Sequence, residues 1–175
     1  MALAHDTGEI TTITAEEFRQ YQQEGYLVVE DALSADEVDA ARERMHEYTH
    51  GDREPPFETM LEPKVERGEA EVEEEGDAVR KFEGLDMVRE DEVFRGIAHN
   101  ETVVGVAQDL LGPHLKLLRS ASMMKPPQIG SEKGLHQDAV YYPIHPYDHF
   151  TVWMPLDEAT PENGCMQVVP GGHLQ

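Results

Sequence analysis

Helix-start signals punctuate the first two thirds of the chain. Thr14-Ala15-Glu16-Glu17 has the form of a capping box, in which the threonine hydroxyl and the glutamate carboxylate satisfy free amides, with Phe18 and Tyr21 on the buried face. Gly25 ends that helix, and Tyr26-Leu27-Val28-Val29 follows as a short β-prone run. Ser34-Ala35-Asp36-Glu37 is a second capping box. Behind it Val38, Ala41, Met45 and Tyr48 recur every three or four residues, which predicts an amphipathic helix to about His50. Val93, Phe94 and Ile97 suit another helix. Asn100 can cap a last one, carrying Val103, Val104, Ala107, Leu110 and Leu111 until Gly112-Pro113 stops it.

Between these regions, residues 51 to 77 hold prolines at 55, 56 and 63, glycines at 68 and 76 and an acidic run. That content excludes a continuous helix or a central strand, so the expectation is a mobile acidic surface insertion. From His114 the texture changes to short β-type runs, Leu115 to Met124, Phe150 to Pro155 and Met166 to Val169, separated by Pro- and Gly-containing turns. Helices followed by strands predict an α+β fold, with the helices packed on one sheet of a sandwich or barrel. No internal repeat is present.

A length of 175 residues suits one domain with its own core. The charge changes the picture more: 36 Asp and Glu against 14 Lys and Arg give a formal net charge of -22. Such a field repels nucleic acid and anionic membrane surfaces, and no basic stripe interleaved with aromatics offsets it. Self-repulsion of this size is a lever used by salt-adapted proteins, and a halophilic source is the leading explanation. The alternative is an acidic loop on an ordinary protein, since Glu69 to Asp77 alone supplies six acidic residues. Cys165 is the single cysteine, so an intramolecular disulfide and cysteine-rich metal sites are excluded. No apolar stretch is long enough to span a bilayer, and Met1 to Glu9 has no basic or apolar leader character. A cytoplasmic protein is expected.

His-x-Asp/Glu suits iron because side chains two apart on a strand share a face, so an imidazole and a carboxylate can reach one ion. The pattern occurs as His50/Asp52, His99/Glu101 and His136/Asp138. The first runs into a Gly-containing loop and the second lies at a helix-helix junction, so both read as solvated surface residues. His136 and Asp138 instead lie in the β-rich part beside Leu135, Val140, Tyr141 and Tyr142. Two histidines and one carboxylate on one face of iron leave positions for a chelating cosubstrate and dioxygen. A hydrogen-bonded His/Asp pair in a strand fits the spacing as well.

The neighbours of that pair carry a resemblance. Lys125-Pro126-Pro127, Leu135-His136-Gln137-Asp138, Tyr142-Pro143, Trp153, Asn163-Gly164-Cys165 and Pro170-Gly171-Gly172-His173, in this order, resemble the phytanoyl-CoA dioxygenase family. The likeness is strong from about residue 123 to 175 and weaker back through Gly25 to Val29 and the helix capped by Ser34. It implies N-terminal helices packed on a double-stranded β-helix (jelly-roll, cupin-like) core, and an iron(II)- and 2-oxoglutarate-dependent hydroxylase supported by ascorbate. His136 and Asp138 match the first two iron ligands, with Gln137 beside the cosubstrate. Lys81 resembles the family lysine near 2-oxoglutarate, with a solvated surface lysine as the alternative. Trp153 resembles a tryptophan facing the cosubstrate, with a core tryptophan as the alternative. Tyr141 and Tyr142 are candidates for the substrate pocket, or for aromatic packing.

Asn163-Gly164 reads as a structural turn, and His173 matches a family histidine that is not an iron ligand. The family's distal iron histidine, and the arginine that pairs with the far carboxylate of 2-oxoglutarate, fall beyond these 175 residues. The expected β-helix is therefore incomplete at its C-terminal side, with a further segment as the expected partner. The implied partners are dioxygen and a small organic or lipid-acid substrate. The acidic composition argues against a large anionic thioester, although Lys116, Arg119 and Lys125 are local cations that could hold one. The alternative function is an inactive fragment or metal-binding module of the same fold, and a histidine-rich cupin isomerase or storage protein is a third reading.

Overall fold

The computed structural model describes residues 11–145 and 148–174. The stretch Met1 to Glu9, expected to carry no leader, lies outside the described residues. Helix α1 (Ala15–Glu24) starts at Thr14, whose side chain accepts from the Glu17 amide while the Glu17 carboxylate accepts from Thr14 N–H, and Gly25 closes it at φ 81°. Helix α2 (Ala35–His50) repeats this with Ser34 and Glu37. A single turn, α3 (Pro63–Glu66), and α4 (Asp86–Glu90) are short. Helices α5 (Glu92–Ala98) and α6 (Glu101–Leu111) are capped by the side chains of Asp91 and Asn100. The four helices expected from the hydrophobic pattern are therefore all present.

A small antiparallel sheet of order β1-β2-β3 lies among them, built from β1 (Glu58–Leu61), β2 (Val79–Glu83) and β3 (Ala121–Met123). Only the end of the expected 115-to-124 run pairs. Residues 26 to 29, 150 to 155 and 166 to 169 form no strand among the described residues, which corrects the β reading of those runs. They are rich in β-branched and aromatic residues, but among the described residues no neighbouring strand takes their backbone hydrogen bonds, and β propensity without a partner makes no sheet. The 51-to-77 segment keeps its acidic run largely exposed, yet it also supplies the edge strand β1 and the fully buried Glu62.

The core joins Ala41, Met45 and Tyr48 of α2, Val79 and Phe82 of β2, Met87 of α4, and Phe94 and Ile97 of α5. Tyr48, Phe57 and Phe82 meet edge to face at centroid distances of 5.0, 6.1 and 5.2 Å, each such pair adding about 0.5–1.5 kcal/mol beyond area burial. Asp91 sits at 2% exposure under this cluster, accepting from the Tyr48 hydroxyl at 2.7 Å and pairing with Arg44.

Strand β2 carries one irregularity. Met60 pairs with Lys81 but Leu61 pairs with Val79, so Arg80 is an extra residue, a β-bulge. Strict alternation from buried Val79 would bury Lys81 and Glu83 with it. The bulge instead puts Val79 and Phe82 on the core side and turns Lys81 and Glu83 to the other.

Candidate metal centre

The polypeptide reaches His136 through a loop fixed to the sheet. Glu62, just past β1, is fully buried, and its carboxylate accepts from the Ser131 amide at 3.2 Å and from the Ser131 hydroxyl at 2.5 Å. Gln137 is extended at φ -112°, ψ 129°, so its neighbours His136 and Asp138 project to the same side even though no strand holds them, and Asp138 opens a single 3-10 turn to Tyr141. The strand expected under the pair is corrected to this extended-to-turn corner.

Three contacts prepare the pair. His136 Nδ1–H donates to the Gly134 carbonyl at 2.8 Å, which leaves Nε2 as the ring's lone-pair atom. His136 Nε2 lies 3.4 Å from Asp138 Oδ1. The other carboxylate oxygen, Oδ2, accepts from the Thr151 hydroxyl at 2.6 Å. The Tyr141 ring meets the imidazole edge to face at 5.7 Å, and the side chains of His136 and Asp138 are each about one third exposed.

This donor set fits a divalent transition ion. Two ligands each about 2.1 Å from one ion, at right angles, stand about 3 Å apart, near the separation seen. A charge-assisted hydrogen bond between the two would instead draw them to about 2.7–2.9 Å. Among the described residues no third His, Cys, Asp or Glu joins them.

The other residues singled out from the sequence lie around this corner in different ways. Lys81 projects from β2, pairs with the Glu83 carboxylate, and is one sixth exposed. Burial lowers its pKa, and the charges of Arg119, Lys133 and Arg80 act in the same direction. Gln137 turns its amide away from the pair and donates to the Gly172 carbonyl at 2.8 Å. Trp153 is 48% exposed, which corrects its core alternative, because Met154 beside it is the residue that packs on the core. Tyr142 accepts from Arg119 Nη1 at 2.5 Å, and Tyr141 is exposed. Arg119 also pairs with Glu83, whereas Lys125 lies against Gly164, so these two cations do different things. His173 docks on the end of α1, its Nε2 donating to the Gln22 carbonyl at 3.1 Å.

Sequence patterns do not single out Thr151, Gly134 or Glu83. Thr151 is 13 residues from Asp138, and only the tertiary fold joins them. Glu83 carries a usable signal, since it stands two residues after Lys81 and shares its face in any strand.

A family model, Phytanoyl-CoA dioxygenase (PhyH), matches residues 21–175. The chain belongs to the phytanoyl-CoA dioxygenase family. It is 28% identical over 174 residues to a probable phytanoyl-CoA dioxygenase of Caenorhabditis elegans, covering 95% of this chain and 55% of that protein. It is 28% identical to phytanoyl-CoA dioxygenase domain-containing protein 1 of Danio rerio, covering 92% of this chain and 66% of the relative. With the peroxisomal phytanoyl-CoA dioxygenase of Mus musculus it shares 26% identity, covering 92% and 48%. The chain thus spans about half to two thirds of the length of these curated relatives. No solved structure matches it. Family membership implies a cupin-like fold.

Proposed function

We propose that this chain carries part of the active site of an iron(II)- and 2-oxoglutarate-dependent dioxygenase that hydroxylates a small organic or lipid-acid substrate. The observation that carries this reading is the convergence of His136 Nε2 and Asp138 Oδ1 at 3.4 Å, with the remaining nitrogen and oxygen each tied to another group. Iron(II) held there would supply the redox chemistry with dioxygen that protein side chains lack. His136 contributes a lone pair, and its bond to the Gly134 carbonyl keeps the ring in the correct tautomer. Asp138 contributes negative charge, and Thr151 fixes which oxygen faces the ion. Lys81 offsets a cosubstrate carboxylate, Trp153 faces the cosubstrate, and Tyr141 with Tyr142 lines the substrate pocket. Ascorbate supports turnover, and the protein works in the cytoplasm.

The double-stranded β-helix belongs to this proposal too. Leu135 at 75% exposure, Val140 at 73% and Val169 at 54% are apolar groups clustered in the last third of the chain. A further C-terminal segment, supplying strands and a third ligand, is the partner that covers them. The test is release of succinate from 2-oxoglutarate by the full-length gene product with iron(II) and ascorbate. Turnover that disappears in His136→Ala supports the reading, and absence of succinate from the full-length product overturns it.

One observation favours a second reading. With no third donor among the described residues, a non-catalytic metal-binding module is the alternative, and it predicts micromolar or tighter iron binding, lost in His136→Ala, without decarboxylation.

A further inference from the structure

The fully buried side chains include two carboxylates, Asp91 and Glu62. Asp91 meets a cation, Arg44. Glu62, between β1 and α3, instead meets Ser131 across 69 residues: the Ser131 amide lies 3.2 Å from each carboxylate oxygen, and the Ser131 hydroxyl donates to Oε2 at 2.5 Å. The Glu62 N–H donates to the carbonyl of buried Ala78, just before β2, at 2.8 Å, which fixes its backbone to the sheet. A buried carboxylate that loses its donors bears the full cost of desolvation, so the tie to Ser131 stays closed.

Ser131 lies on the loop that delivers His136. Ahead of it, Gly130 N–H donates to the Pro126 carbonyl at 2.9 Å and Ile129 N–H to the Pro127 carbonyl at 2.8 Å. Gln128 between them has a left-handed φ of 66°, which a glutamine adopts where its surroundings impose it. Beyond Ser131, Lys133 Nζ lies 6.0 Å from the centroid of the Tyr141 ring, a weak contact because both side chains are exposed. Gly134 is not packed at all, since a Cβ on it would meet nothing within 4 Å. Its carbonyl nevertheless takes the Nδ1–H of His136 at 2.8 Å. The place of that carbonyl is therefore set by the chain just before it, where the buried carboxylate of Glu62 holds Ser131.

We infer that Glu62 is a positioning residue for the candidate metal centre: by holding Ser131 it keeps the Gly134 carbonyl on His136 Nδ1, which leaves Nε2 as the lone-pair atom beside Asp138. The acidic segment 51 to 77 thereby takes part in the site through the one residue that it buries. The tautomer of an imidazole follows the hydrogen bond made by its other nitrogen. Where the carbonyl drifts away, the ring is free to carry its proton on Nε2, and the lone pair is lost from the side of Asp138. The consequence for a bound ion rests on the proposed role of His136 and Asp138 as ligands, whereas the hold on the His136 ring rests on the hydrogen bonds alone.

The test uses the full-length gene product in two steps. First, with chelator present and at about pH 8, where an imidazole is neutral, nitrogen NMR of the histidine rings reads the tautomer of His136, assigned by its loss in His136→Gln. The parent is expected to carry the proton on Nδ1, and Glu62→Ala to move part of it to Nε2. Second, cobalt(II), which does not turn over, is titrated against a competing chelator, and Glu62→Ala is expected to bind it about tenfold more weakly. Met45→Ala, a core change in α2, is the control: it lowers the melting temperature and leaves tautomer and cobalt affinity as in the parent. If Glu62→Ala behaves like Met45→Ala, Glu62 serves stability alone and the inference fails. It fails equally if Met45→Ala shifts the tautomer as far as Glu62→Ala does. A tautomer that shifts in Glu62→Ala while the parent holds no cobalt upholds the positioning of His136 and overturns the metal reading instead. Should Glu62→Ala not fold, Ser131→Ala is expected to give a smaller shift in the same direction and Ser131→Thr, which keeps the hydroxyl, none. Equal behaviour of these two overturns the inference.

Discussion

At the scale of single residues, the orientation of the Asp138 carboxylate depends on one neighbouring hydroxyl, that of Thr151. Its Oδ2 accepts from Thr151 at 2.6 Å, which holds Oδ1 toward His136. Thr151→Val keeps shape and removes the donor, leaving the carboxylate free to rotate. Iron(II) affinity is expected to fall about 10- to 100-fold, the usual range for a group that orients a ligand. A competition titration against a chromophoric chelator measures this, and equal affinities in Thr151→Val and the parent would remove Thr151 from the site. Gly25 is a second such residue. It ends α1 at φ 81°, and an added Cβ would collide with the His173 ring at Nδ1. Gly25→Ala therefore meets both a left-handed backbone and the docked imidazole, and is expected to lower stability by at least about 1–2 kcal/mol in thermal unfolding. A value near zero would mean that His173 leaves α1 without cost.

At the scale of elements, α6 is tied to the chain ahead of α1 by one carboxylate. Asp109, 3% exposed, accepts from the amides of Thr11 at 3.1 Å, Thr12 at 2.7 Å and Ile13 at 2.9 Å. Burial raises its pKa, but the amides of Ile13, Thr11 and Thr12 outweigh that and hold it below the ordinary aspartate value. A depressed folded pKa means that the folded state binds the proton less readily than the unfolded state. Its contribution is then complete above the unfolded value near 3.9 and is lost as pH falls through the lower folded value. Asp109→Asn is expected to lose about 1.5–3 kcal/mol at pH 7, as for hydrogen bonds to a charged group, and to lose less relative to the parent near pH 3. Denaturant unfolding at the two pH values measures the difference, and a pH-independent gap would mean that charge plays no part. The elements differ in how far the sequence announces them. Capping boxes at Thr14 and Ser34 and the Asn100 cap are local, and all three begin helices where expected. Strand β2 is not legible, because Arg80 forms a bulge without any glycine and breaks the alternation that would mark the strand. The β-type runs at 150 and 166 mislead for the opposite reason, since their pattern is local but a sheet needs a partner. In the candidate site, the meeting of His136 with Asp138 is legible from their spacing, whereas Thr151 and Glu62 act across 13 and 69 residues, a reach no local pattern holds.

At the scale of the whole molecule, the acidic charge remains the property least used by the fold. Several carboxylates are matched: Glu47 meets Arg44 and Arg53, Glu69 meets Arg67, and Asp77 meets His50. With 36 acidic residues and 14 Lys and Arg, pairing cannot balance the total, and the excess repels itself at low ionic strength. Unfolding moves these charges apart, so repulsion favours the unfolded chain, and salt that screens it favours the folded one. A halophilic origin therefore makes a definite demand. The melting temperature is expected to rise by roughly 5–10 °C between 0.1 and 2 M KCl, corresponding to a few kcal/mol in a chain of this size. Chloride is the appropriate salt because sulfate also strengthens apolar burial and would raise the melting temperature of any protein. Exposed ion pairs such as Arg67 with Glu69 weaken under the same screening, but each contributes little to begin with. The sign of the response thus separates net repulsion from pairwise attraction. A melting temperature that falls with KCl would mean that the pairs outweigh the excess charge, and a flat response would leave the acidic run of residues 69 to 77 as a local feature with no bearing on salt adaptation.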